Sequence, residues 1–236
     1  MLTLRLGIPK ASPPLGKRTQ SDWVGHKMTK VRAVLFDMDG VLIDAKDWHY
    51  EALNTALRHF GMEISRDEHL SIYDGLPTRR KLEILTRARR LPEQLHGFLN
   101  DLKQQYTVAL TTERCRPMFH HQMALSQLKR DGYHLGVCSN SIRRTVELMM
   151  ELAQLAPYLE LTLSNEDVQH PKPAPDIYNE AIRRLGLTPR ECLIVEDNDH
   201  GIAAARASGA HVLVVGTVYD VTYDRIQAAI REAEAA

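Results

Sequence analysis

Five short apolar runs punctuate the 236-residue chain: Val31–Phe36, Leu135–Cys138, Leu161–Leu163, Leu193–Val195 and Val212–Val215. They are too short for helices and rich in Val, Leu and Ile, the pattern of parallel strands covered on both faces. Helical periodicity separates the later ones. It predicts helices over Pro117–Arg130, Ser141–Leu155, Pro175–Leu185 and Gly201–Ala207, with glycine stops at Gly132, Gly186 and Gly209. Strands alternating with helices specify an α/β chain built on a doubly wound parallel sheet.

One interval breaks that rhythm. Between Ala45 and Arg116 there is no convincing strand, only helical patterns at His49–Phe60, Arg79–Arg89 and Leu91–Tyr106. About 70 residues are too many for a single crossover, so an inserted helical domain is expected over 46–116. The catalytic core then comprises 29–45 and 117–236. Residues 1–28, rich in Pro, Gly and basic side chains without a sustained period, read as a disordered tail. Met28, just before the first strand, is an equally good start for the functional domain.

The bulk composition excludes several function classes. Lys+Arg and Asp+Glu both total 30, so no global field recruits nucleic acid or an anionic membrane. No apolar run reaches the ~18–20 residues a spanning helix needs. Three widely separated cysteines without CxxC spacing argue for a reducing, cytoplasmic compartment and against a disulfide frame or thiolate zinc site. The chain is expected to be a monomer or a weak homodimer that acts on a small molecule.

In open α/β sheets, ligands bind beyond the carboxyl ends of the strands. The residues there are Asp37, Asp39 and Gly40 after the first run, Ser139 and Asn140 after the second, and Lys172 in "HPKPAPD" after the third. Glu196 and Asp197 follow the fourth. Each has a bland reading: a strand-end Asp is often a turn former or N-cap, and a lysine between prolines is often solvated. Together they form a phosphoryl-transfer set. A carboxylate can attack phosphorus, a hard cation must screen the two anions, and Mg²⁺ suits carboxylate oxygens. Asp37 and Asp197 can supply those oxygens. Lys172, Ser139 and nearby backbone N–H groups can hold the phosphoryl oxygens, which leaves Asp39 for proton transfer. "DMDGVLIDAKDW" fails as an EF-hand loop, because Gly comes at its fourth position and Trp48 stands where Glu is required. Neither a GxxxxGK[ST] loop nor a GxGxxG fingerprint is present.

The stretches "DMDGVLID", "CSNS", "KPAPDIY" and "VEDNDHGIAAARASG" resemble the four ordered motifs of the haloacid dehalogenase-like phosphatase superfamily, from about Val31 to Val215. The resemblance implies a Rossmann-like core under an α-helical cap, Mg²⁺ as cofactor, and Asp37 as nucleophile. It implies Asp39 as acid/base with its backbone carbonyl on the metal, and Ser139, Asn140 and Lys172 around the phosphoryl group. Asp197 would be a metal ligand and Glu196 a further carboxylate there. Dehalogenases of the family lack the second aspartate, so Asp39 points to phosphate chemistry.

Three functions follow from this reading. The favoured one is a phosphatase for a small phosphorylated metabolite, a sugar or polyol phosphate. Another is a mutase resembling β-phosphoglucomutase, with His49 and "GLPTRRKLEIL" somewhat like that enzyme's cap elements. The last is a dead phosphate-binding protein, which the filled catalytic positions disfavour. In the cap, Arg79 or Arg80 either faces the cleft or belongs to a solvated basic face. Hinges are expected near Asp44–Lys46 and Thr111–Pro117, and Asp44 is read as structural.

Overall fold

The computed structural model describes residues 30–235, so the tail expected over 1–28 lies outside the described residues. Five parallel strands, β1 (Ala33–Phe36), β2 (His134–Cys138), β3 (Leu161–Leu163), β4 (Cys192–Glu196) and β5 (His211–Val214), form one sheet in the order β3-β2-β1-β4-β5. The order reverses at β1, so the loop after β1 opens into the crevice where such sheets bind ligands.

Strand residues alternate between two cores, as a sheet covered on both faces requires. Val34, Phe36, Leu135, Val137, Leu193 and Val195 face one cluster, with α5 (Phe119–Arg130), α6 (Arg143–Leu152) and α9 (Tyr223–Ala235). Ala33, Leu35, Cys138, Cys192 and Ile194 face the other, with α7 (Asp176–Arg184) and α8 (Asp199–Ala207). The doubly wound α/β architecture is therefore observed. Helix α9, absent from the sequence reading, carries Ile226 and Ile230 at helical spacing into the first core.

The chain between β1 and β2 is helical: α1 (Lys46–Arg58), α2 (Arg66–Glu68) running into a π-helical turn (His69–Tyr73), α3 (Thr78–Arg89) and α4 (His96–Arg114). It gathers its own apolar cluster from Leu53, Ala56, Leu57, Ile64, Tyr73, Leu82, Leu85, Leu91 and Leu99. Each leucine so buried contributes about 1.5–3 kcal/mol. Asn54 ties α1 to the following extended segment, donating to Ile64 O and accepting from Ile64 N, both at 2.9 Å.

Helix α4 runs eight residues past the expected end at Tyr106. Its buried stripe there is polar (Lys103, Thr107, Thr111) rather than apolar, which conceals the helix from a hydrophobic-period reading. Thr107 Oγ1 donates to Lys103 O at 2.9 Å, satisfying the hydroxyl within the helix. The second crossing between the helical insert and the sheet therefore occupies 115–118 rather than starting at Thr111.

Candidate active site

The sheet places the chemistry through four strand ends. Beyond β1, Asp37 N still donates to Val195 O at 3.0 Å, so Asp37 leaves the sheet in register. The loop then folds on itself: Met38 O accepts from Leu42 N at 3.0 Å and Ile43 N at 2.9 Å. Gly40 sits at φ +91°, and a Cβ there would lie 2.1 Å from Asp197 Oδ2. Glycine is required for both reasons, backbone angle and close approach. Beyond β2, Ser139 N donates to Leu163 O at 3.0 Å, and Ser139 Oγ accepts from Ser141 N at 3.0 Å.

Lys172 is the hub. Its buried Nζ lies 2.6 Å from Asp37 Oδ1, 2.7 Å from Glu196 Oε1, and 2.8 Å from both Cys138 O and Tyr178 OH. Tyr178 OH in turn donates to Glu196 Oε1 at 2.5 Å. Burial works against the Lys172 charge, but Asp37 and Glu196 outweigh it and hold its pKa above the ordinary lysine value. Asp37 is pushed well above 3.8, first by burial, with Lys172 opposing and Glu196, Asp197 and Asp39 adding like-charge repulsion.

Asp39 points into the opening from the same loop. Ser141 Oγ donates to its Oδ2 at 3.2 Å, and His49 Nε2 stands 3.1 Å from Oδ1. Burial disfavours its charge, yet His49, Lys103 and the Ser141 hydroxyl prevail and its pKa is lowered. His49, on the first turns of α1, meets Lys103 Nζ through Nδ1 at 3.2 Å.

Asp197 faces the β1 loop, its Oδ2 2.6 Å from Lys46 Nζ and its Oδ1 accepting from Asn198 Nδ2 at 3.2 Å. Asp37, Glu196 and Asp197 each offer an oxygen within 4.8 Å of the others. Hard oxygen donors so crowded suit Mg²⁺. Burial foremost, then Glu196, raises the Asp197 pKa even against Lys46, so its charge is incompletely compensated there. The residues fit a divalent cation, which when bound would screen these carboxylates and an incoming phosphate from one another. Glu196 stands apart within the set: it is fully buried and its Oε1 is committed to Lys172 and Tyr178. Helix α8 closes against it at Gly201, where a Cβ would lie 1.9 Å from the carboxylate. That contact makes Glu196 first of all the counter-charge that keeps Lys172 in place.

Most of the expected residues converge on one cavity of about 560 Å³, roofed by the helical insert and lined by Asp37, Asp39, His49, Arg79, Ser139, Asn140 and Lys172 among others, while Glu196 and Asp197 are not part of its lining. Three placements differ from the simplest reading of the sequence. The Asn140 carboxamide is taken up by Gly75 O (2.9 Å), Lys172 O (3.2 Å) and Lys172 N (3.0 Å), so it pins loops together. Arg79 reaches only the rim, its side chain 89% exposed and 3.6 Å from Glu83, and Arg80 also pairs with Glu83. Of the three consecutive basic residues, it is Lys81 that turns inward. Asp44 is exposed and lies outside the cavity lining. Lys46, Lys81, Lys103, Ser141 and Tyr178 were not singled out for roles from the sequence. Two of them sit inside the motifs, Ser141 at the end of "CSNS" and Tyr178 six residues after Lys172.

A family model described as haloacid dehalogenase-like hydrolase matches residues 34–215. Among curated proteins, the pyrophosphatase PpaX of Bacillus cereus (strain AH820) is 27% identical over 195 residues, covering 79% of this chain and 83% of that protein. The β-phosphoglucomutase structure from Clostridium difficile superposes with a TM-score of 0.76 at 20% identity, covering 87% of this chain and all of that one. CbbY from Rhodobacter sphaeroides, solved with phosphate, gives 0.70 at 24% identity over 78% of this chain and 85% of its own. With four strand ends delivering two aspartates, a serine, a lysine and a third aspartate in the motif order, the chain belongs to the haloacid dehalogenase-like hydrolases.

Proposed function

We propose that the chain is a Mg²⁺-dependent phosphatase of a small phosphorylated metabolite, such as a sugar or polyol phosphate, working through an aspartyl-phosphate on Asp37. The observation that carries this reading is the pairing of Asp37 and Asp39 in one cavity with opposite settings. Asp37 is gripped by Lys172 at 2.6 Å, whereas Asp39 is freed from the core lysine and tuned by His49 and Ser141.

Asp37 attacks phosphorus and the substrate alkoxide departs with the Asp39 proton. Asp39 is ionised at rest, since its pKa is lowered. A bound phosphate adds negative charge in the cavity and raises that pKa, favouring the protonated donor. Once the alcohol has left, Asp39 is again a base and takes a proton from the water that opens the acyl-phosphate. Lys172 and the backbone N–H groups after Ser139 stabilise the phosphoryl oxygens. Asp37 and Asp197 would hold Mg²⁺. Residues 46–116 act as a cap that excludes water, turning on the two crossings to the sheet.

Hydrolysis is favoured over the mutase reading because the matched relatives at 26–27% identity are named pyrophosphatases. The likeness to β-phosphoglucomutase, at 20% identity, bears on the fold. Among the described residues no helix is long and apolar enough to cross a membrane. The three cysteines are buried and unpaired, which supports a reducing, cytoplasmic setting.

A phosphate-release screen over phosphorylated metabolites with Mg²⁺, with Asp37→Asn as blank, tests the proposal. Equal release by both proteins would remove Asp37 as nucleophile. Isomerisation of a hexose 1-phosphate to the 6-phosphate without release of phosphate would establish the mutase.

A further inference from the structure

The roof of the cavity carries a cation that neither the fold nor the phosphoryl chemistry requires. Lys81, on the first turn of α3, is 5% exposed and lines the cavity, yet among the described residues its ammonium has no hydrogen bond and no ion pair. A buried charge without a partner opposes folding, and the usual remedy is an anion close by. Asp74, the acid that acts most strongly on it, is drawn toward Lys46, 3.8 Å away, and Glu83, two residues on, is paired with Arg79 and Arg80. Lys103, the second ammonium of the roof, meets His49 and adds further positive potential. Around these two stand neutral donors, Asn100 and Gln104, on the inner face of α4.

The catalytic floor is arranged differently. There, Lys172 is surrounded by carboxylates. The cavity thus has an acidic, cation-binding floor and a cationic roof. A substrate carrying only the phosphate that Asp37 attacks would leave the roof charge uncompensated. The residues expected from the sequence to supply such a contact, Arg79 and Arg80, are instead paired with Glu83 at the outer surface.

We propose that Lys81 binds a second anionic group of the substrate, a carboxylate or a second phosphate, remote from the phosphoryl group transferred to Asp37. This rests on the phosphatase reading for its orientation, and it narrows the substrate from any phosphate monoester to one that carries a second anionic group at the end remote from that phosphate. The lowered pKa of Lys81, about 8, first through burial with Asp74 and Asp39 opposing, agrees with a site that waits for an anion. Once the anion is bound, the ammonium is the favoured form.

The test separates binding from turnover. With Mg²⁺ present, affinities of Asp37→Asn for phosphoglycolate, for ribose 1,5-bisphosphate, and for the singly charged-ended partners 2-hydroxyethyl phosphate and ribose 5-phosphate are measured by calorimetry. The two-ended ligands are expected to bind about 10- to 100-fold more tightly, the range of one charge-assisted hydrogen bond. The carboxylate and bisphosphate arms show which second anion is preferred. Adding Lys81→Met should abolish that preference while changing affinity for the one-ended ligands less than about twofold, and Lys81→Arg should restore part of it. Lys81→Gln, which keeps a polar end, guards against a repacking effect of the methionine. No preference in the parent, or an equal loss for both ligand types in Lys81→Met, would overturn the proposal. A preference that depends on Lys81, together with no phosphate release by the protein that keeps Asp37, would uphold the subsite and defeat the hydrolytic reading instead.

Discussion

Lys103 offers a quantitative test of how the cap is built, because its charge is buried without an acidic partner in contact. Its Nζ meets only His49 Nδ1, at 3.2 Å, among the described residues. Burial, and then repulsion from Lys81, bring its pKa from the ordinary 10.5 down to about 7, with Asp39 opposing. At about 1.4 kcal/mol per pKa unit, that fall withholds on the order of 4–5 kcal/mol of folding free energy at neutral pH and below. The sign follows from proton counts. Between about 7 and 10.5 the unfolded chain holds a proton on Lys103 that the folded chain has released. Stability therefore rises with pH across that window and levels off above it. Lys103→Met, nearly isosteric and uncharged, is expected to be more stable than the parent near neutral pH by about 2–5 kcal/mol, allowing for relaxation around the charge. The difference should close as the pH approaches 10. Urea denaturation in EDTA at a series of pH values measures both quantities. The same variant strips His49 of its neighbour and alters the setting of Asp39, so kcat on the best substrate should fall by about tenfold or more. A variant that is less stable than the parent by the same amount at every pH would refute the reasoning. So would one that is more stable and fully active.

Two further perturbations probe the floor of the cavity. Lys172→Met leaves Asp37 and Glu196 buried together without their counter-charge and should cost about 3–5 kcal/mol in a metal-free urea titration. Pairing it with Glu196→Gln should recover much of that loss, and a lack of recovery would show that Glu196 is not the partner Lys172 was built against. Lys46→Met frees Asp197 Oδ2 from an ammonium 2.6 Å away. Mg²⁺ binding, followed by calorimetry without substrate, should then tighten; weaker binding would mean that Lys46 supports the metal site rather than competing for it.

Much of this molecule is legible along the chain because the sheet is local in its grammar. Each strand is a run of three to five mostly apolar residues, and three of the five are followed at once by the group they deliver: Asp37 after Phe36, Ser139 after Cys138, Asp197 after Glu196. Parallel strands all end on one edge, so the order of motifs in sequence is already an arrangement in space. Lys172 arrives from the loop after β3 and was legible only in company, since alone it reads as a solvated loop lysine.

The cap is different. Whether Arg79, Arg80 or Lys81 faces the cavity depends on the phase of α3 against α1 and α4, about 100° per residue, and three adjacent basic residues carry no period from which to read that phase. Packing of Leu82 and Leu85 into the cap core decides it and turns Lys81 inward. The extent of α4 was hidden because the stripe from Lys103 to Thr111 is buried yet polar. Its burial follows from what covers it, which no local pattern records. The roles of Glu196 and Tyr178 belong to the same class. From the sequence alone, Glu196 is one more acid beside Asp197. In the fold it is a sealed counter-ion, closed over by Gly201 and hydrogen-bonded by Tyr178 and Lys172. The sheet, and the acidic, hydroxyl and ammonium groups at its strand ends, can be read along the chain, because hydrophobic period and strand-end position act over a few residues. Which buried charges are paired and which stand open to a ligand emerges only in the folded chain, because electrostatic environment is set by groups that meet across more than a hundred residues, as Lys172 and Asp37 do.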